Sequence, residues 1–223
     1  MKKPLMMEAL LKLSLGAVLT AVLVFLPAGT LCFRNGWLLM GVLFLPMLAA
    51  GILLLIKRPA LLEQRLKHKE SRREQSLVVK LSALMFVTGF VLAGLDFRFG
   101  WTPLPEWVSY MAAVLFLLSY LLYAEVLREN PFLSRTVEVQ ADQSVIDTGL
   151  YGIVRHPMYS ATLLLFLSMP LLLGSLCSFV VFLAYPVIIA KRILDEEALL
   201  EAELEGYAAY RKRVRWRLIP LIW

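Results

Sequence analysis

Cysteine is scarce: the 223-residue chain has only Cys32 and Cys177. Neither falls in a metal-ligand spacing or a disulfide framework. Both read as small buried hydrophobes, and no metal site is expected. Charge is scarce as well, at 18% Asp, Glu, Lys and Arg against 60% hydrophobic residues. A water-soluble domain is about a quarter charged, which excludes that class. Short segments of alternating polarity are missing, which excludes a membrane β-barrel. Met1-Lys2-Lys3 leads into an apolar run too long for a signal sequence, with no small-residue cleavage site behind it, so no cleaved leader is expected. Acidic residues are outnumbered 17 to 23, giving a net charge of +6. The basic residues sit in short loops beside apolar runs, as membrane-flanking residues do, and nucleic acid is not an expected partner.

What is abundant is long apolar sequence, with a mean hydropathy of +0.72. The runs are about 20 residues long, enough to cross a bilayer core. They predict an all-α, polytopic membrane protein with about six transmembrane helices: near 10–31, 37–56, 77–97 and 107–127, then a tight hairpin of 159–173 and 176–189 broken at Gly174-Ser175. Pro27 and Pro46 fall inside runs, where membrane helices tolerate them. Between the second and third runs lies a polar block, Lys57 to Arg73. Its Leu61, Leu62 and Leu66 can share one helical face, either as an interfacial helix or within a solvated connector. Glu125, near the end of the fourth run, faces the site or reaches the interface. The longest polar connector, Arg128 to Arg155, includes Thr136–Gln140, whose β-branched residues alternate with polar ones and suggest a short extended segment. The chain divides into a scaffold, 1–127, and a second region, 128–223.

Counting Lys and Arg by side places both termini, the Lys57–Arg73 block, Arg128, Arg135, Arg155, Lys191 and Arg192 on one face, and only Arg34 and Arg98 on the other. The first face is expected to be cytoplasmic.

Two polar clusters stand out on that face. The first is Asp147 to Tyr159, reading D-T-G-L-Y-G-I-V-R-H-P-M-Y. Gly149 permits a backbone excursion, and Pro157 suits the first turn of a helix. Arg155, His156 and the amides of that helix start could bind a carboxylate or phosphate. Tyr151 and Tyr159 offer faces for a base or a cation. Ionisable groups at a membrane boundary are costly and mark a functional site. The second cluster opens a C-terminal amphipathic helix at Arg192. Arg192 and Glu196 share its face, which extends to Leu199, Glu203, Tyr207 and Tyr210. Arg192 lies 36 positions beyond His156, and a hairpin of the intervening chain brings the two clusters together. A ligand with a carboxylate, a base and a cationic centre uses all these groups. S-adenosylmethionine has that set, and NADPH has most of it.

The ordered set V-x-x-G-x-Y-x-x-x-R-H-P-x-Y (Val145 to Tyr159), R-x-x-x-E-E-x-x-L (Arg192 to Leu200) and G-Y-x-x-Y running into R-L-I-P (Gly206 to Pro220) resembles the isoprenylcysteine carboxyl methyltransferase family. Its wider superfamily includes integral membrane phospholipid methyltransferases. The resemblance covers roughly the C-terminal 95 residues. It departs at Ser160, where a glycine is frequent, and in the spacing of G-Y-A-A-Y. It implies a helical membrane core whose cytoplasmic cofactor pocket is capped by the connector and the C-terminal helix, with S-adenosylmethionine as cofactor. Gln140, Gln143, Val145 and Ile146 would line the cofactor from the connector. Tyr151, Arg155, His156, Pro157 and Tyr159 would contact it from the turn, and Glu196 and Glu197 from the helix. Arg192, with Glu196, would serve catalysis at the acceptor end. The acceptor implied is a lipophilic isoprenylcysteine-like carboxylate. A phospholipid amine would need a base, for which Glu196 or Glu197 is nearest. Sterol reductases using NADPH look similar over the same region, and a non-enzymatic lipid-binding protein is the third reading.

Overall fold

The computed structural model describes residues 2–66, 73–133, 139–140 and 142–223. Among these there is no strand, and helices form nearly all of the regular structure. The expected extended segment falls largely outside the described residues (Thr136, Val137 and Glu138), as do Lys67, Lys69, Glu70, Arg72 and Arg135.

Four long helices come first or nearly so: α1 (Lys2–Ala28), α2 (Arg34–Lys57), α4 (Arg73–Phe99) and α5 (Glu106–Glu129), with the short α3 (Pro59–Leu66) between the second and third. Then follow α6 (Pro157–Leu172), α7 (Leu176–Phe182), α8 (Ala184–Glu203) and α9 (Tyr207–Arg213). Five segments are long and apolar enough to span a bilayer, α7 and α8 counting as one, and α6 is a shorter apolar helix. The protein is thus an all-α, multi-pass membrane protein with the six apolar elements its sequence predicts. The leucines and valines exposed along α1, α2, α4 and α5 face where lipid would be, because lipid tails are as apolar as they are.

Small residues set the closest approaches. At Gly94 a Cβ would come within 2.5 Å of the Val24 carbonyl oxygen, so α1 and α4 cross with their backbones nearly touching, as membrane helices do at glycine. Phe86, Phe90, Phe166 and Phe182 interlock at the centre, with Phe86 edge to face against Phe166 and Phe182 and the other pairs tilted. Such contacts add to plain burial and tie α4 to α6 and α7. Among the described residues, α5 and α6 share the most extensive contact of any helix pair.

The two ends of the bundle differ. At one end, Asn35 donates to Ser109 Oγ at 3.1 Å and to the Leu173 carbonyl at 3.4 Å. There Asp96, 2% exposed, accepts from Thr102 N at 2.7 Å, Thr102 Oγ1 at 2.6 Å and Ser175 Oγ at 2.5 Å. These bonds clasp the interhelical turns together and satisfy a carboxylate that would otherwise be costly to bury. At the other end, Lys12 donates to the Leu66 carbonyl at 2.6 Å and Arg58 to the Leu127 carbonyl at 3.2 Å. These bonds tie α1 to α3, and the end of α2 to the end of α5.

Several local expectations shift. Leu61 and Leu62 are buried on α3 with Leu66 partly covered, so they do share a face. Cys32 is exposed and Cys177 half-buried, not fully buried, because both lie near turns outside the packed middles of the spans. Glu125 reaches the rim, where Arg128 Nε donates to it at 2.8 Å. No helix begins at Arg192. That residue lies within α8, which runs unbroken from Ala184 to Glu203, since no proline or glycine after its first turn interrupts the backbone ladder.

Candidate active site

The site begins at the end of α5. Gly149 has φ +52°, and a Cβ there would collide with Glu129 Oε1. The next residue's amide, Leu150, donates to Glu129 Oε2 at 3.0 Å. Only glycine allows this left-handed turn to press against the carboxylate. A single 3₁₀ turn (Gly149–Gly152) follows and delivers Tyr151 inward. Its phenol accepts from Asn130 Nδ2 at 2.9 Å, and its carbonyl accepts from Tyr210 Oη at 2.8 Å. Gly149→Ala is expected to destabilise the protein by about 2 kcal/mol, from the left-handed backbone and the displaced Glu129. Thermal unfolding in detergent checks this, and an unchanged midpoint would contradict it.

Pro157 takes the first position of α6, as expected. The amides before it are not open to an anion. Arg155 N donates to the Trp216 carbonyl and His156 N to the Arg217 carbonyl, both at 2.9 Å. The C-terminal tail thus lies alongside Val154–His156, and Ser160 Oγ donates to the Leu218 carbonyl at 2.6 Å. The amides of Arg155 and His156, just ahead of the helix, are thus taken by the chain's own carbonyls.

Arg155 is likewise committed. It is 6% exposed; its Nε donates to Glu197 Oε1 at 2.6 Å and its Nη1 to the Val214 and Arg215 carbonyls at 2.8 and 2.9 Å. His156 Nε2 lies 3.2 Å from the same Glu197 oxygen. Arg217 Nε donates to Glu197 Oε2 at 2.9 Å. Glu197 is the hub of a buried ionic cluster that joins α6, α8 and the tail.

The adjacent Glu196 points elsewhere. Tyr159 Oη donates to Glu196 Oε2 at 2.5 Å and accepts from Arg192 Nε at 2.9 Å. The Arg192–Glu196 pairing foreseen on one helix face runs through this phenol from another helix. Tyr159 also stacks on His156, with ring centroids 5.7 Å apart. The two polar clusters, distant in sequence, do meet. The face expected to continue from Arg192 to Tyr207 and Tyr210 does not: α8 ends at Glu203, and Gly206, φ +83°, turns the chain into α9.

Around these groups lies a cavity in which the centre of a water molecule finds about 100 Å³. Gln143, Val145, Ile146, Tyr151, Arg155, His156, Tyr159 and Glu196 line it. Gln140, Pro157, Arg192 and Glu197 do not. Gln140 instead bonds to Phe132 O and Gln143. Asn130, Phe132, Leu133, Ser144, Met158, Leu199, Leu200, Leu204, Tyr207 and Tyr210 complete the wall. Of these, Tyr207 and Tyr210 stand in the G-Y-A-A-Y motif, which was the signal for them; Asn130 and Met158 carry none. Burial, opposed by the Asn130 hydrogen bond, pushes the Tyr151 phenol up to about 12. Burial also raises Tyr207 and Tyr210 well above the ordinary phenol range. All three stay protonated near neutrality and carry no charge.

A helical membrane protein with a polar, aromatic-lined cavity at one end of its bundle is the class that fold and site define. Residues 111–202 match the model of the isoprenylcysteine carboxyl methyltransferase (ICMT) family, and it is to that family of methyltransferases that this stretch of the chain is similar. Among solved structures, that of the eukaryotic intramembrane Ras methyltransferase ICMT is similar, with a TM-score of 0.49 and 18% identity, covering 84% of this chain and 74% of that chain. No curated protein matches the chain.

Proposed function

We propose that the protein is a methyltransferase that moves a methyl group from S-adenosylmethionine to a lipophilic carboxylate of the isoprenylcysteine type. The observation that carries this reading is the chain Arg192–Tyr159–Glu196, with Tyr159 and Glu196 on the wall of the cavity. It sets a guanidinium and a carboxylate at fixed positions around one phenol.

The wall suits the cofactor's chemistry. Val145, Leu200 and Leu204 provide an apolar surface for a base, Asn130 and Gln143 provide amides, and Glu196 provides a negative charge for a cationic centre. When bound, S-adenosylmethionine supplies a methyl group already activated on sulfonium. The residues of the chain then need only to bind, orient and exclude water. Arg192, aligned by Tyr159, holds an anionic acceptor; charge-assisted contacts of this kind are strong and directional. A carboxylate acceptor needs no base. An amine acceptor does; Glu197, encircled by Arg155, His156 and Arg217, is withdrawn from that role, and Glu196 on the cavity wall would have to take it. Because most Lys and Arg fall in the termini and in the loops on their side of the apolar runs, we assign the site, with both termini, to the cytoplasmic face. Residues 128–223 form the functional region on a scaffold of residues 1–127, and the acceptor's tail enters between helices from the lipid.

Membranes carrying the protein, given methyl-labelled S-adenosylmethionine and a farnesylated cysteine, are expected to yield a base-labile labelled ester. Label in a phospholipid headgroup instead would overturn the acceptor, and no binding of S-adenosylhomocysteine at millimolar concentration would overturn the whole reading.

A further inference from the structure

The phenol of Tyr207 is the one buried side-chain polar atom among the described residues with no hydrogen-bond partner. The residue is 4% exposed and lies on the cavity wall. A buried hydroxyl without a partner costs free energy that folding has no reason to retain. Its neighbour in the same motif, Tyr210, spends its hydroxyl on the Tyr151 carbonyl at 2.8 Å. The two rings are 5.7 Å apart and tilted by 54°, so one motif holds a satisfied and an unsatisfied phenol side by side. We infer that Tyr207 is a ligand-binding residue, donating its phenolic hydrogen to the nucleoside end of the bound cofactor.

The surroundings decide which end. Tyr207 packs with Leu204, Tyr210 and Val214, flanked by Val145 and Leu200. This is the apolar part of the wall, suited to a flat base with a few acceptor atoms and poorly suited to an amino-acid head with two charges. Glu196 and Arg192 bond to Tyr159, and Arg155 and Glu197, the charges that act most on Tyr207, are paired with each other. Burial first, and then the Glu197 carboxylate, keep the Tyr207 phenol protonated, so it acts as a neutral donor.

The inference rests on the proposed use of S-adenosylmethionine. The test is Tyr207→Phe in the full chain in detergent, with Tyr210→Phe beside it. Affinities for S-adenosylhomocysteine and for methylthioadenosine, which keeps the nucleoside and lacks the amino acid, are measured by calorimetry. The expected result is that Tyr207→Phe weakens both ligands about tenfold, as loss of one hydrogen bond does, while the ligand-free unfolding temperature stays level or rises. Tyr210→Phe lowers that temperature. Unchanged affinity in Tyr207→Phe overturns the inference, as does a fall in ligand-free stability matching that of Tyr210→Phe. Weakening of S-adenosylhomocysteine alone overturns the nucleoside assignment. If the wild-type protein binds neither ligand, the proposed function fails and takes this inference with it; if it binds both and the variant binds them equally well, only the inference fails.

Discussion

Replacing Glu197 with alanine is expected to destabilise the protein by about 3–5 kcal/mol, because a buried charge cluster loses the anion at its centre. Glu197 is 3% exposed and accepts from Arg155 and Arg217, with the His156 ring beside it. With it gone, the Arg155 guanidinium stays buried with two carbonyls and no counter-charge. The tail loses its ionic tie at Arg217, and the carbonyls that hold the amides of Arg155 and His156 loosen with it. In detergent the unfolding midpoint should fall by roughly 10 °C. Glu197→Gln keeps the shape and one acceptor and should fall between wild type and Glu197→Ala. Glu201→Ala, which breaks the half-exposed pair with Arg211, should change little, since such pairs contribute little. A Glu197→Ala protein as stable as Glu201→Ala would show that the cluster contributes nothing net.

The second large effect concerns turnover. Arg192→Ala should lower kcat by about 100-fold, the scale of a misplaced acceptor, and leave S-adenosylhomocysteine affinity within a factor of about three. The reason is placement: Arg192 is absent from the cavity wall but donates to Tyr159, which stands on it, at 2.9 Å. Arg192→Lys should recover only a small part, because lysine restores charge without the planar fork. Steady-state kinetics with a farnesylated cysteine measure both. Turnover close to that of wild type in Arg192→Ala would remove Arg192 from the acceptor end. Equal losses in kcat and in cofactor affinity would move it to the cofactor.

Two adjacent glutamates show where pattern reading stops. Glu196 and Glu197 are indistinguishable in an E-E dipeptide, yet successive helical residues point about 100° apart. One reaches the cavity and Tyr159, and the other enters the Arg155 cluster. Arg155 was legible as an ionisable group at a membrane boundary, but its buried pairing with Glu197 was not. The tail was legible as basic and aromatic. That its carbonyls from Val214 to Leu218 would brace the helix start was not, because backbone acceptors are the same whatever the side chain.

Long apolar runs, their spacing and the side on which lysine and arginine gather follow from the bilayer's thickness and from the cost of charge in it. Those features alone specified six apolar helices and two polar turns drawn to one face. Which hydroxyls, carboxylates and amides in those turns find each other, and which one, at Tyr207, is left over, was decided only by packing. Hydrogen bonds depend on distances of a few tenths of an ångström between groups far apart along the chain.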